Sequence, residues 1–190
     1  FLYRYEIPHI TNIRCSADEE ENSINVAPDG EDELMVTVLP RELIFCTDEQ
    51  IKIVGELDHL FENFFSLQSV DGLLKWDTSE VKSISYLFYR CRSLTDISGL
   101  QFWNTSNVER MDSTFMGCEK LSNTSPLQSW KTEKVVDAYF AFAYCSSIKE
   151  KEVIEHWTFP KMTFPQNRLM IPPEDPFVKI YLSSDDTDCE

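Results

Sequence analysis

The chain holds only five glycines and three histidines in 190 residues, and it contains no phosphate-cradling glycine motif. His9, His59 and His156 lie in separate segments, and none has a Ser, Cys or carboxylate at a spacing that suggests a catalytic triad. No CxxC occurs, and the cysteine spacings match no zinc motif. Basic residues are scarce too: 17 Lys and Arg face 33 Asp and Glu, for a net charge of -16. That balance argues against nucleic acid, because affinity for phosphate backbones comes from Lys and Arg displacing counterions. No apolar run approaches the roughly 18 residues of a membrane span. Arg4 and Glu6 sit in the first residues, so neither a transmembrane helix nor a signal peptide is visible. A chain beginning at Phe1 is expected to be a processed or partial polypeptide, with room for a leader upstream. These absences predict a protein that is not an enzyme and takes no cofactor, metal or small-molecule substrate.

What is present is a period. Trp76, Trp103, Trp130 and Trp157 recur every 27 residues, and Cys91, Cys118 and Cys145 keep the same interval. Val54, Val81, Val108 and Val135 form a further column, continued by Met162; Leu57, Ile84, Met111 and Ala138 form another. Phe61, Phe88, Phe115 and Phe142 follow, then Leu67, Leu94, Leu121 and Ile148, and finally Leu73, Leu100, Leu127 and Ile154. A fixed interval at so many apolar positions marks a repeat architecture, in which each unit buries its apolar face against its neighbours. The length suits one domain, and 13% aromatic residues suit a narrow core filled by large rings. The three in-register cysteines are read as reduced packing residues. Cys15, Cys46 and Cys189 lie outside the register, and among them Cys15 with Cys46 is the favoured pair.

Within one unit, Thr78 (then Thr105 and Thr132) precedes Val81, Ile84, Phe88 and Cys91, spaced three or four apart. That pattern predicts a helix with a threonine N-cap, ending near Cys91. Ser93–Ile97 is too short for a helix and predicts one strand per unit, with Leu94 pointing inward. The expected fold is therefore an α/β solenoid, a leucine-rich-repeat-like right-handed stack of about four strand-plus-helix turns with a β-rich N-terminal cap and a proline-rich C-terminal cap.

The repeat text is Trp76-Asp77-Thr78-Ser79-Glu80-Val81 with Leu87-Phe88-Tyr89-Arg90-Cys91-Arg92-Ser93-Leu94, then Trp103-Asn104-Thr105-Ser106-Asn107-Val108 with Phe115-Met116-Gly117-Cys118-Glu119-Lys120-Leu121. A third copy has Trp130-Lys131-Thr132-Glu133-Lys134-Val135 and Phe142-Ala143-Tyr144-Cys145-Ser146-Ser147-Ile148. This text resembles the BspA-like leucine-rich repeat surface proteins over about residues 49 to 162, with Glu49 and Phe64 replacing the Trp and Cys in the first turn. The resemblance implies a cell-surface or secreted binding protein of adhesin type, and it carries over no catalytic residue. Similar repeats also occur in large DNA viruses.

The expected organisation is an N-terminal β cap or arm over 1–48, repeats over 49–156, and a partial repeat, C-terminal cap and acidic tail over 157–190. In the first segment, Met35–Leu39 and Leu43–Phe45 read as two short strands joined at Pro40-Arg41, and Phe1–Ile13 as a strand or docking arm. Residues 1–50 hold twelve acids against three bases, and Asp18–Glu21 and Asp29–Glu33 read as solvated loops rather than calcium loops. At the far end, Pro160, Pro165, Pro172, Pro173 and Pro176 forbid a regular helix, Phe177–Leu182 reads as a strand, and Ser183–Glu190 as a disordered tail.

Binding is expected at positions that vary between repeats: Tyr86, Ser113 and Phe140; Tyr89, Met116 and Ala143; Arg90, Gly117 and Tyr144; Phe102, Ser129 and His156. Exposed aromatic residues are typical interface anchors, which selects Tyr86, Tyr89, Phe102, Phe140 and Tyr144 as the partner-binding residues. The tryptophans, in register with buried columns, are expected in the core rather than on a stacking platform. Asn104-Thr105-Ser106 and Asn123-Thr124-Ser125 are glycosylation sequons, relevant only to a chain exported from a eukaryotic cell. The functional expectation is a protein-binding module at a cell surface or secreted. The alternative is a structural subunit of a virion or other assembly, docked through its terminal arms.

Overall fold

The computed structural model describes residues 10–16, 24–25, 35–38, 41–46, 50–149 and 156–162. The expectations for Phe1–His9, Asp18–Glu21, Asp29–Glu33, Cys189 and the C-terminal cap from residue 163 onward lie outside the described residues.

The 27-residue units lie side by side as rungs, each hydrogen-bonded to the next, but they are not built as expected. Among the described residues there is no α-helix, only strands, turns and 3-10 segments at Asp71–Lys75, Ser98–Leu100 and Ser125–Leu127. The expected solenoid of strand-plus-helix turns is thereby overturned. Its physical cause is a pair of left-handed residues in every rung. His59, Tyr86, Ser113 and Phe140 have φ of 61°, 58°, 54° and 57°, and four residues later Asn63, Arg90, Gly117 and Tyr144 have φ of 64°, 59°, 77° and 61°. A right-handed helix cannot pass through such residues.

The backbone bonds confirm where the chain turns instead. The amides of Tyr86, Phe88 and Arg90 donate across to the carbonyls of Asp112, Thr114 and Met116 in the next rung, at 2.9, 2.8 and 2.7 Å. The alternate amides of Leu87, Tyr89 and Cys91 donate to the carbonyls of Ile84, Tyr86 and Phe88, closing four-residue turns. Successive turns of this kind also bring an apolar residue inward every three or four positions, which is why the spacing of Ile84, Phe88 and Cys91 mimics a helical stripe.

The segment read as the helix start is in fact a strand. Among the described residues there are six strands: β1 (Asn12–Ser16), β2 (Ile24–Asn25), β3 (Met35–Val38), β4 (Glu42–Cys46), β5 (Ile51–Glu56) and β6 (Trp76–Ser83). Parallel β5 and β6 form one pair, and single bridges continue that ladder from Ser83 to Arg110 to Asp137. The threonines do not cap helices. Thr78, Thr105 and Thr132 are buried, and their hydroxyls donate to the carbonyls of Asn104, Lys131 and Thr158 in the following rung at 3.2, 3.0 and 2.7 Å. The Ser93–Ile97 stretch reduces to a bridge at Asp96, which pairs with Ser69.

The first rung departs from the 27-residue register. Two register shifts in the β5–β6 pairing, each with its extra residue on β6, place Ile51, not Glu49, opposite Trp76, and Gly55, at φ 98°, opposite Val81. Val54 is consequently 68% exposed rather than part of the valine column. Such extra residues are β-bulges, which shift which side chains face inward.

The remaining strands form a sheet in the order β1-β4-β3-β2, with β1 parallel to β4 and the other pairs antiparallel. β1 also joins the rungs. Asn12 bridges Ser69, and the Ile13 amide donates to the Ser69 carbonyl at 3.0 Å. Ile10 and Ile13, at the end of the segment read as a docking arm, are buried in the chain's own core. Cys15 and Cys46 fall on neighbouring strands, where Cys15 is opposite Phe45 and Cys46 opposite Ser16; their side chains lie outside the described residues.

The core is a set of ladders. Trp76, Trp103, Trp130 and Trp157 are buried, with ring centroids 6.1, 6.2 and 5.8 Å apart and planes within 6°. Phe61, Phe88, Phe115 and Phe142 stack beside them at 5.6, 5.5 and 5.0 Å. The thiols of Cys91, Cys118 and Cys145 are buried, each pointing back at the carbonyl of Phe61, Phe88 or Phe115 within 3.2 Å.

Candidate functional site

Each rung passes one corner through equivalent residues: 59–68, 86–95, 113–122 and 140–149. The left-handed columns lie in this corner. Phe88 and Cys91 point into the core, while Tyr86 and Tyr89 are half-buried and Arg90 is exposed.

Four of the five candidate residues lie on this corner, spread over two rungs. Tyr86 stacks on His59 of the preceding rung at 4.7 Å and meets Tyr89 edge-on at 5.5 Å. Phe140 occupies the Tyr86 position two rungs on and is half-buried, whereas Tyr144 is 59% exposed. The intervening rung carries small residues at the same positions, buried Ser113 and Gly117, with Arg90 lying against Gly117. Ala143, offered as variable surface, is likewise buried. Phe102 is not part of the corner. It sits beside Trp103, between the 3-10 segment and the next strand position, and is 71% exposed.

Two cations that sequence reasoning left out of the site belong to it. The Arg90 guanidinium lies over the Tyr89 ring at 5.0 Å, and that of Arg92 over the Phe65 ring at 5.6 Å. Cation–π contacts hold such guanidinium planes against the ring faces while leaving N–H donors directed to solvent. Arg92 also pairs with Glu119 at 3.5 Å, and among the described residues Arg90 has no ion-pair partner. The signal for Arg90 was its place in a variable column; nothing in the residue pattern announced that it would lie on Tyr89.

A separate polar face follows the ladder of Ser83, Arg110 and Asp137. Arg110 reaches back two rungs to Glu56 at 2.7 Å and approaches Asp58 at 3.8 Å, while the Ser85 hydroxyl donates to Asp112. Burial pushes the Asp137 carboxyl up from its ordinary value; the charge of Asp112 adds to this, against the Tyr139 amide and Arg110, which act in the opposite direction. Among the described residues no group of three or more His, Cys, Asp or Glu is placed to hold a metal ion, and no helix is long and apolar enough to cross a membrane.

Both sequon asparagines are exposed and folded into Asx turns. Asn104 accepts from the Ser106 amide at 3.1 Å and Asn123 from the Ser125 amide at 2.9 Å.

No curated protein and no solved structure matches this chain. Residues 55–170 match the family described as "Mycoplasma protein of unknown function, DUF285". Since that match covers more than half of the chain, the protein belongs to this family, which is related to the BspA-like proteins.

Proposed function

We propose that the protein is a non-enzymatic protein-interaction module of BspA type, acting at a cell surface or after secretion, and that the corner of Tyr86, Tyr89, Phe140 and Tyr144 is its binding face, with Phe102 as an outlying contact. The observation that carries the reading is the placement of exposed aromatic side chains on rungs fixed by hydrogen bonds to both neighbours. Rings with few rotatable bonds on a rigid backbone give contact area with little ordering cost. Tyr86 and Tyr89 are half-buried and Tyr144 is more exposed.

The test is site-specific photocrosslinking in a cell-envelope extract. A benzophenone side chain placed at Tyr144 or Phe102 is expected to give protein adducts that excess unlabelled parent chain competes away and a Tyr86→Ser/Tyr144→Ser variant does not. Equal adduct formation from a control position on the separate polar ladder, exposed Lys82 beside Ser83, would sink the reading.

A further inference from the structure

The charge of the chain is segregated, and the segregation selects a partner. Residues 59–68, 86–95, 113–122 and 140–149 are equivalent by the 27-residue interval, so together they sample the whole corner. They carry Arg90, Arg92, Lys120 and Lys149 against Glu62 and Glu119, a net charge of +2 in a chain of -16. The corner is therefore a net-positive region of a strongly acidic protein, and it also carries the candidate aromatic side chains Tyr86, Tyr89, Phe140 and Tyr144. Arg90, Arg92, Lys120 and Lys149 are all exposed.

We propose that this corner docks an acidic, aromatic-bearing peptide segment of a partner protein, whose carboxylates meet Arg90 and Arg92 while its ring packs against Tyr89 and Tyr144. Guanidinium groups already held over Tyr89 and Phe65 are pre-oriented, so their donors reach a carboxylate with less loss of side-chain freedom than a free arginine would suffer. A nucleic-acid strand is disfavoured by the net charge of -16, since its dense phosphates meet the field of the whole chain rather than two arginines. A short acidic segment feels mainly the local charges, within a Debye length of about 8 Å. The proposal rests on the interaction-module reading and adds the partner's chemistry to it.

Fluorescence anisotropy of the full chain with a labelled peptide of alternating glutamate and tyrosine tests it, with a glutamine-tyrosine peptide and a lysine-tyrosine peptide as controls. The glutamate peptide is expected to bind best and to weaken with added salt. The Arg90→Gln/Arg92→Gln variant should lose roughly fivefold in affinity, the scale of two exposed charge pairs. Unchanged affinity in that variant overturns the proposal, as does preference for either control peptide. A variant with Asp18, Glu19, Glu20 and Glu21 all replaced by their amides checks the alternative occupant. Tighter peptide binding by that variant would assign the corner to the chain's own acidic segment and overturn the proposal. Specific crosslinks at Tyr144 without peptide binding would leave the interaction reading standing and remove only the partner's chemistry.

Discussion

The amide of Tyr86, a residue at φ 58°, donates to the carbonyl of Asp112 in the neighbouring rung at 2.9 Å. In an α-helix that amide would bond four residues back, to Lys82. The same substitution of a neighbour for a local partner recurs at His59, which bonds Ser85 at 3.0 Å, and at Ser113, which bonds Tyr139 at 2.7 Å. Each corner is thus defined by its neighbours, and the exposed aromatic side chains inherit their positions from that ladder.

Removal of a ring from the phenylalanine ladder should be felt on both sides. Phe115 is fully buried between Phe88 and Phe142, at 5.5 and 5.0 Å, and also touches Trp130. Phe115→Ala is expected to cost about 3–5 kcal/mol in denaturant unfolding, as for other buried aromatic residues. A loss below about 0.5 kcal/mol, the scale of a surface change, would contradict the register.

Most of the interior was legible from the sequence, because the tryptophan, phenylalanine, cysteine and leucine columns are set by the period alone, and burial follows from stacking like on like. The helix was not legible. Ile84, Phe88 and Cys91 repeat with near-helical spacing, and that spacing does not distinguish an i to i+4 ladder from a chain of four-residue turns. The left-handed columns carry the distinguishing signal, but only His59, Asn63 and Gly117 among their members are residue types that favour φ > 0. Val54 was misplaced for a different reason, since a bulge leaves no trace in a period. At the corner, the aromatic candidates could be read as variable positions, whereas Ser113 and Ala143 were variable yet buried, and the cation–π placement of Arg90 depends on side-chain packing that no interval encodes.

The cysteine ladder should be chemically silent in the folded protein. Burial pushes the thiols of Cys91 and Cys118 well above the ordinary value of 9.0, and only thiolates react. The sign follows from the raised values: their contribution to stability is full below the ordinary thiol pKa and is lost as pH rises past it, because the unfolded chain ionises first. Alkylation at about pH 8, just under the ordinary thiol range, followed by mass spectrometry, is expected to spare Cys91, Cys118 and Cys145 until denaturant is added. Rapid labelling of Cys118 in the native protein would contradict the packing.

Asp137 should respond in the opposite direction to a typical salt-bridged carboxylate. Its pKa is raised by burial and by Asp112, so its contribution to stability is present below the ordinary carboxyl value of 3.8 and is lost as pH rises through its own higher value. Asp137→Asn keeps an acceptor for the Tyr139 amide, now at 3.1 Å, and removes the charge. The variant is expected to melt higher than the parent at neutral pH, with the difference shrinking toward acid pH in a thermal series. A variant less stable than the parent at neutral pH would show that the attraction to Arg110 outweighs burial and Asp112.

The central claim is that rungs bonded to one another, rather than helices, set the corner and the side chains it displays. Through-hydrogen-bond NMR coupling measures this directly, by identifying the carbonyl carbon bonded to a chosen amide. The Tyr86 amide should couple to the Asp112 carbonyl, and the Arg90 amide to that of Met116. Coupling of the Tyr86 amide to the Lys82 carbonyl instead would restore a helix and contradict the account.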